Sequence, residues 1–273
     1  MSSTADGGTP DGGRLLVDEP APGVARLTIS NPGKRGALDH AILDAFVATL
    51  RSIDARCVLV TGEEEIFSAG YDIGNLDSET RETVAEEASR LVAQPFAEAL
   101  EALAGYRYPT VAALNGHAIG GGLELAVSCD LRLAASTISL GMPPAKLGLV
   151  YSHTGIRTFV DTIGAARTRE LFLVGNRIDA RTALDWGLVN RVVSFDELAA
   201  TAVALAAEIA ANAPLAQAGN KRVIAAVVDG RAALPPAVER ELEELRLASF
   251  ASEDFREGLR AFAEKRAPRW RGR

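Results

Sequence analysis

The chain has 273 residues, enough for one or two domains, and its 29 Lys and Arg against 36 Asp and Glu give a net charge of −7. This acidic balance argues against a nucleic-acid-binding protein, which usually presents a basic face. With 48% hydrophobic and 24% charged residues, the composition is typical of globular proteins and excludes the disordered and fibrous classes. No stretch reaches the ~18 consecutive apolar residues of a membrane span.

The first thirteen residues are small and polar, without the basic start and apolar run of a signal peptide, so we expect a disordered tail. Cys57 and Cys129 are too few for a disulfide framework and are interpreted as buried thiols of a reducing compartment. We therefore expect a cytoplasmic protein. The three histidines (His40, His117 and His153) are not spaced as metal ligands, and we predict no metal site.

Short β-branched runs bounded by Gly, Pro, Asn or Asp recur along the first two thirds of the chain and predict strands. These runs are Val24–Ser30, Cys57–Thr61, Thr110–Leu114, Leu131–Ala134 and Val189–Val193. Helical patterns lie between them, at Leu38–Leu50 and in the Ala- and Glu-rich stretch Glu79–Leu103, which Pro95 should kink. By itself this alternation favours an open parallel sheet covered by helices, as in doubly wound folds.

The last third is predicted to be helical. Ser194 and Glu197 have the spacing of a capping box ahead of an Ala-rich amphipathic helix that runs to about Ala211. Two further helical segments, Pro214–Val228 and Pro236–Phe250, precede a last helix that starts at Ser252. We therefore divide the chain into a tail (1–13), a mixed α/β core (14–193) and a C-terminal helical module (194–273).

A glycine-rich segment is the most informative part of the sequence. The strand at Thr110–Leu114 leads into Gly120, Gly121 and Gly122, and a short helix is expected from about Leu123. Three glycines remove every Cβ, so a ligand oxygen can approach free backbone N–H groups, although a tightly packed turn has the same composition. The Lys-Ser/Thr ending of a phosphate-binding loop is missing.

Glu124 lies on the first turn of that short helix, among apolar neighbours. An apolar pocket would raise its pKa into the range of a general acid or base, whereas an exposed position would leave it only complementing the helix dipole. Small residues also precede Tyr71, which indicates a second backbone segment open to a ligand. Ser152 beside His153 is disfavoured as a hydrolase pair because adjacent side chains diverge and no Gly-x-Ser-x-Gly elbow is present.

Taken in this order, the segments resemble the crotonase superfamily, also called the enoyl-CoA hydratase/isomerase family. The resemblance covers about residues 14–269 and rests on short motifs along the whole chain: Asn31-Pro32, Lys34–Leu38, Phe67–Ile73, Asn115-Gly116, Gly120–Glu124, Cys129-Asp130, Leu147-Gly148, Asp179-Ala180, Gly187–Val189, Ser252–Gly258 and Ala261–Lys265. It implies an α/β crotonase (ClpP-like) fold, in which repeated ββα turns form a spiral core and a C-terminal helical module forms trimers.

The resemblance further implies an acyl-CoA thioester substrate whose carbonyl oxygen binds in an oxyanion hole made by the backbone N–H groups of Tyr71 and Gly121. Coenzyme A enters as part of the substrate, and no tightly bound cofactor is expected. Glu124 and Tyr151 are the candidate proton-transfer residues. The CoA moiety is expected to contact three parts of the chain. The first is the loop with Lys34, Arg35, Ala37 and Leu38, the second is the segment with Ser68, Ala69, Asp72 and Ile73, and the third is the end of the last helix, with Phe262 and Lys265. The arginines near the chain end, Arg266, Arg269, Arg271 and Arg273, are interpreted as a solvated tail that is also able to meet phosphates.

The chain departs from typical hydratases at Pro144, which stands where they carry a second catalytic glutamate. The segment Leu147–Tyr151 instead resembles the methylmalonyl-CoA decarboxylase branch, although that branch has His at the position of Tyr71. The sequence therefore favours decarboxylation of a malonyl-type CoA, with enoyl-CoA hydration and double-bond isomerisation as alternatives. A non-catalytic CoA- or RNA-binding relative is a further alternative. The expected assembly is a homotrimer or a dimer of trimers, with no nucleic-acid or membrane partner.

Overall fold

Two sheets form the framework of the chain in the computed structural model, which describes residues 12–71, 92–229, 236–266 and 268–269. The larger sheet has the order β1 (Arg14–Ala21), β2 (Val24–Ser30), β3 (Cys57–Gly62), β5 (Thr110–Leu114), β7 (Leu131–Ala135) and β10 (Arg191–Val193). The smaller sheet has the order β4 (Ile66–Ser68), β6 (His117–Ile119), β8 (Ser139–Gly141) and β9 (Ile178–Asp179). Pairing is parallel except between β1 and β2 and between β8 and β9.

Successive strands alternate between the two sheets. The chain passes from β3 to β4, from β5 to β6 and from β7 to β8, each time leaving the larger sheet for the smaller one. A helix, α3 (Gly121–Val127), follows β6 directly. This winding confirms the ββα spiral that the family resemblance implies. The doubly wound sheet favoured by periodicity is wrong, because strands of three residues are too short to produce a periodic pattern in the sequence.

The helices begin near the predicted positions. The first, α1 (His40–Ser52), is capped by the Asp39 side chain, which accepts a hydrogen bond from the backbone N–H of Ile42. A π-helical turn containing Pro95 (Val92–Phe96) leads into α2 (Ala97–Ala104), whereas the earlier part of the predicted helix 79–103 lies outside the described residues. Helix α4 (His153–Arg169) is kinked at Gly164, where φ is +75°. The short helix α5 (Ala180–Asp185) precedes β10.

The C-terminal part comprises α6 (Phe195–Ala211), α7 (Pro214–Asp229), α8 (Pro236–Ala251) and α9 (Glu253–Ala263). The Ser194 hydroxyl lies 2.6 Å from the Glu197 carboxylate, to which it donates a hydrogen bond, instead of capping a backbone N–H. Helix α6 buries Leu198, Ala202 and Ala206 in the same hydrophobic core as the larger sheet. Among the described residues no single helix has the length and apolarity of a membrane span. Helix α6 and residues Pro214–Ala225 have that length and apolarity only when they are taken together, and the two are bent by 104° relative to each other.

Both cysteines belong to this hydrophobic core. Cys57 is fully buried and Cys129 is 3% exposed, and neither forms a disulfide. Burial raises the pKa of each thiol to about 12. The reactive thiolate form is therefore scarce at neutral pH, and the two residues act as small apolar packing groups.

Candidate active site

Two backbone segments meet where β4 and β6 end. Gly70 has φ of +96° and packs so closely on the glycine-rich segment that a Cβ there would lie 2.7 Å from the carbonyl oxygen of Ile119 and 3.2 Å from the nitrogen of Gly121. Gly120 has φ of +55° and ψ of −125°, a conformation that side chains disfavour. Gly121 begins helix α3, so its N–H has no partner within the helix. The structure thus places the two predicted oxyanion-hole residues, Tyr71 and Gly121, next to each other.

A cavity of about 410 Å³ opens onto these segments. Its wall is built from the two glycine-rich segments, the turn before Tyr151 and the end of helix α9. The lining residues include Arg35, Ala69, Gly70, Tyr71, Ile119, Gly121, Pro144, Leu149, Tyr151, Ala261 and Phe262. Residues from both ends of the described chain therefore contribute to a single candidate binding site.

Glu124 and Tyr151 form a hydrogen-bonded pair beside the cavity. The Tyr151 hydroxyl donates to the Oε2 atom of Glu124, whose side chain is only 3% exposed. The pKa of Tyr151 lies well above its usual value because the hydroxyl is buried and faces the Glu124 carboxylate. Tyr151 lines the cavity, whereas Glu124 is not among the lining residues of the described chain. Of this pair, the tyrosine thus borders the space for a ligand.

The absence of a side chain at Gly155 allows this pair to form. Gly155 lies on the first turn of α4, and a Cβ there would be 2.4 Å from Glu124 Oε1 and 2.8 Å from the Cε1 atom of Tyr151. Both distances are shorter than any tolerable contact, so an alanine would displace one partner or the other. Ser152 caps this helix by accepting a hydrogen bond of 3.1 Å from the Gly155 N–H. Ser152 therefore has a structural role, and its hydroxyl is not paired with His153 as a nucleophile would be.

The predicted CoA-binding residues divide into three groups. Arg35, Ala69 and Phe262 line the cavity, and Phe262 is 61% exposed at its mouth. Leu38 and Ser68 support the wall from behind: the N–H of Leu38 donates to the carbonyl of Gly70 (2.7 Å), and Ser68 Oγ accepts from the N–H of Gly70 (3.1 Å). The two lining segments are also joined to each other, because the N–H of Ala69 donates to the carbonyl of Arg35 (3.0 Å).

Of the remaining candidates, buried Ala37 holds the loop because its carbonyl accepts a 2.9 Å hydrogen bond from the side chain of Asn31. Lys34 and Lys265 are exposed and do not belong to the cavity lining in the described chain. Asp72 and Ile73 lie outside the described residues.

Four cationic side chains line the cavity: Arg35, Lys146, Arg177 and Arg266. No carboxylate stands among the lining residues in the part of the chain that the structure describes. Lys146 and Arg177 were not predicted from the sequence, and Arg266 was expected in a solvated tail. A pair of hydrogen bonds (2.6 and 3.1 Å) instead joins Arg266 to Glu257, and this ion pair lowers the pKa of Glu257 to about 2. Glu257 and Arg266 are nine residues apart, a spacing that does not bring two side chains together on a helix, so the sequence offered no local signal for this ion pair.

Pro144 is buried on the cavity wall, where it begins a short 3₁₀ helix (Pro144–Leu147). It is the residue that the sequence analysis sets in place of a second catalytic glutamate. The pyrrolidine ring offers neither a proton nor a lone pair to a ligand, so this part of the described wall presents no side-chain carboxylate to a bound water molecule.

Comparison with known proteins identifies the class to which this fold and site belong. The sequence model described as enoyl-CoA hydratase/isomerase matches residues 19–273. The chain is 35% identical over 253 residues to the probable enoyl-CoA hydratase echA8 of Mycobacterium leprae, covering 90% of this chain and 94% of that protein. It is also 35% identical over 263 residues to carnitinyl-CoA dehydratase of Salmonella typhi, covering 92% and 95%.

Solved structures give the same classification. A methylmalonyl-CoA decarboxylase in complex with 2-nitronate-propionyl-CoA matches with a TM-score of 0.84 and 28% identity, covering 95% of this chain and 98% of that one. An enoyl-CoA hydratase/isomerase from Pseudoalteromonas atlantica T6c matches with a TM-score of 0.79 and 30% identity, covering 94% and 99%. The fold is that of the crotonase-type enzymes, a family that acts on CoA thioesters. The chain belongs to the enoyl-CoA hydratase/isomerase family of the crotonase superfamily.

Proposed function

We propose that this enzyme decarboxylates a malonyl-type acyl-CoA through a thioester enolate. The observation that carries the proposal is the content of the cavity wall: Tyr151, whose hydroxyl is hydrogen-bonded to Glu124, lines the cavity, and Pro144 takes the place of a second carboxylate. Hydration requires groups that hold and deprotonate a water molecule, whereas decarboxylation generates the carbanion by losing CO₂ and needs no strong base.

The thioester carbonyl oxygen is proposed to accept hydrogen bonds from the backbone N–H groups of Tyr71 and Gly121. When the bond to the carboxylate breaks, its electron pair passes to the α-carbon and the negative charge is shared with this oxygen. Donors fixed in place before the reaction stabilise that charge, and one such donor contributes about 2.7–4 kcal/mol to the barrier in other enzymes. Because both donors belong to the backbone, they do not depend on the side chain at position 71.

Tyr151 is proposed to deliver the proton that completes the reaction. Its raised pKa keeps the hydroxyl protonated at neutral pH, so it acts as an acid and not as a base. The enolate carbon takes the proton, and the resulting phenolate regains one from water entering through the cavity mouth. Glu124 orients the hydroxyl by accepting its hydrogen bond and disfavours a lasting phenolate, because two negative charges would then lie side by side.

The cationic side chains of the cavity are proposed to bind the phosphates of CoA. Arg35, Lys146 and Arg177 supply positive charge at this site although the chain as a whole carries −7, whereas the charge of Arg266 is compensated by Glu257. Guanidinium groups suit phosphate because their planar donors form two parallel hydrogen bonds. Exposed Phe262, at the cavity mouth, is proposed to cover the adenine ring.

Similarity to known proteins supports two readings of the reaction. The likeness to a methylmalonyl-CoA decarboxylase favours loss of CO₂, whereas curated relatives of similar identity are called enoyl-CoA hydratase or dehydratase. One feature of this chain favours the second reading: Glu124 retains a carboxylate that is able to carry a proton between two carbons. Hydration and double-bond isomerisation are therefore the alternative functions.

Mass spectrometry of the products distinguishes these reactions in one experiment. The enzyme is incubated with malonyl-CoA, methylmalonyl-CoA, crotonyl-CoA and a 3-enoyl-CoA, with heat-denatured enzyme as the control for spontaneous reactions. We expect loss of CO₂ from a malonyl-type thioester. A gain of water, or a shifted double bond at unchanged mass, would instead establish an alternative. Tight CoA binding without turnover of any thioester would indicate a non-catalytic relative.

We further propose that the chain assembles as a homotrimer or a dimer of trimers. Large apolar side chains are exposed on the C-terminal helices, among them Leu215 (78%), Val223 (60%) and Ile224 (64%), and soluble proteins usually cover such surfaces. Light scattering after size exclusion at micromolar concentration should give a mass three or six times that of the 28.7 kDa chain. A monomeric mass would contradict this assembly.

A further inference from the structure

The Tyr71 side chain is held in the cavity beside the proposed oxyanion hole. A Cβ at Gly121 would lie 3.0 Å from the Cζ atom and 3.2 Å from both Cε atoms of the Tyr71 ring. The ring therefore lies over the α-carbon of Gly121, in the space where a side chain would project. Because Gly121 is also a proposed hole residue, the ring borders the point where the acyl group of a bound thioester begins.

Two further contacts fix the ring in this position. Phe96, which is 2% exposed, packs against it edge to face with centroids 4.6 Å apart and an interplanar angle of 80°. On its polar edge, Tyr71 lies near Tyr151 and contributes to the raised pKa of that residue. The ring is thus held by the glycine backbone and by a buried aromatic side chain, near a hydroxyl that itself donates to Glu124. Movement of the ring away from the acyl position would break these contacts.

We propose that the Tyr71 side chain closes the acyl end of the cavity and restricts the substrate to short acyl groups. This inference rests on the proposed function, since it uses Tyr71 and Gly121 as the anchor of the thioester carbonyl. The backbone of Tyr71 binds the oxygen, and its side chain limits the length of the acyl chain beyond the carbonyl carbon. A malonyl or methylmalonyl group extends only a few atoms from that carbonyl, whereas a fatty acyl chain would meet the ring.

Binding of unreactive thioesters tests the proposal without depending on the reaction catalysed. Dissociation constants for CoA, propionyl-CoA and octanoyl-CoA are measured by calorimetry; the saturated thioesters carry neither a carboxylate to lose nor a double bond to hydrate. The wild type should bind octanoyl-CoA at least about 10-fold more weakly than propionyl-CoA, since a misfit of a single methylene already costs about 10–200-fold. Tyr71→Ala should remove this preference or reverse it.

Tyr71→Phe is the matched control because it keeps the ring and removes only the hydroxyl. It should retain the wild-type ratio of octanoyl-CoA to propionyl-CoA affinity, which would assign the effect to the ring. If Tyr71→Ala does not fold, as judged by circular dichroism, Tyr71→Leu provides a smaller side chain of apolar character and should shift the ratio in the same direction.

Two results would overturn the proposal. One is a wild type that binds octanoyl-CoA as tightly as propionyl-CoA. The other is a folded Tyr71→Ala or Tyr71→Leu variant with normal CoA affinity and an unchanged ratio. Neither result bears on the reaction type. Conversely, a failure of malonyl-type substrates to lose CO₂ would refute the proposed reaction and leave the measured length preference intact.

Discussion

Replacement of Glu124 by glutamine is expected to lower turnover by about 10²–10⁴-fold, the usual effect of removing a group that takes part in proton transfer. Glutamine keeps the shape of the side chain and its oxygen still accepts the Tyr151 hydrogen bond. The substitution replaces a charged hydrogen-bond acceptor by a neutral one, which weakens the hydrogen bond that orients the Tyr151 hydroxyl toward the reacting carbon. Steady-state turnover of the substrate identified by mass spectrometry, together with CoA affinity, measures the effect; affinity should remain near that of the wild type.

Tyr151→Phe and the double variant separate the roles of the two partners. If the pair acts as a unit, each single variant should lose activity to a similar degree and the double variant should lose little more. If Glu124 acted on the substrate directly, Tyr151→Phe would retain most of the turnover, because it would uncover the carboxylate. Wild-type turnover in Glu124→Gln would contradict a role for Glu124 and leave Tyr151 as the better candidate.

Hydration of crotonyl-CoA by the wild type is expected to be slow, well below the ~10 per second of an average enzyme. Two carboxylates hold a water molecule from two sides, and Pro144 leaves only Glu124, which is itself behind Tyr151. A positioning error of about 1 Å is enough to cost ~10²-fold in rate. A neutral phenol whose pKa is raised further cannot replace the missing base.

Pro144→Glu should accelerate this hydration, since residue 144 is on the cavity wall. Pro144→Gln is the control, because glutamine is as long as glutamate and also removes the proline ring but adds no carboxylate. Its rate of crotonyl-CoA hydration should stay as low as that of the wild type. Initial rates are followed by the loss of the enoyl absorbance under identical conditions. A wild type that hydrates crotonyl-CoA at ordinary enzyme rates would refute the role assigned to Pro144.

The sequence predicted those elements whose signal is local. Five of the six strands of the larger sheet and the helices of the last third are found within a few residues of their predicted bounds, because β-branched runs, capping residues and prolines act on their own neighbourhood. The eight-residue edge strand β1 was not predicted, although it is the longest strand described. The strands Ile66–Ser68, His117–Ile119 and Ser139–Gly141 were not predicted, since three residues carry no period. Their pairing depends on contacts between segments far apart in the chain, and only the family resemblance supplied that information.

The site was predicted to a similar extent. The Gly-rich segment and Glu124 could be singled out because glycine clusters and an acidic residue among apolar neighbours are unusual in themselves. The hydrogen bond between Glu124 and Tyr151 joins residues 27 positions apart, and no sequence pattern predicts it. The same holds for the stacking of Tyr71 on Gly121 and for Lys146 and Arg177, whose approach to the cavity depends on how the spiral closes.

Gly155 has a consequence for sorting other members of the family. Because a Cβ at this position would lie 2.4 Å from Glu124 Oε1 and 2.8 Å from Tyr151 Cε1, a chain with a larger residue there has to move the glutamate or the tyrosine side chain from the arrangement seen here. The three positions together make a compact signature: a glutamate, a tyrosine 27 residues later and a glycine four residues beyond the tyrosine. A relative with glutamate and tyrosine but a larger residue at the third position should hold its glutamate in another rotamer, open to the substrate. The identity of one small residue thus becomes a marker for which proton donor a family member presents.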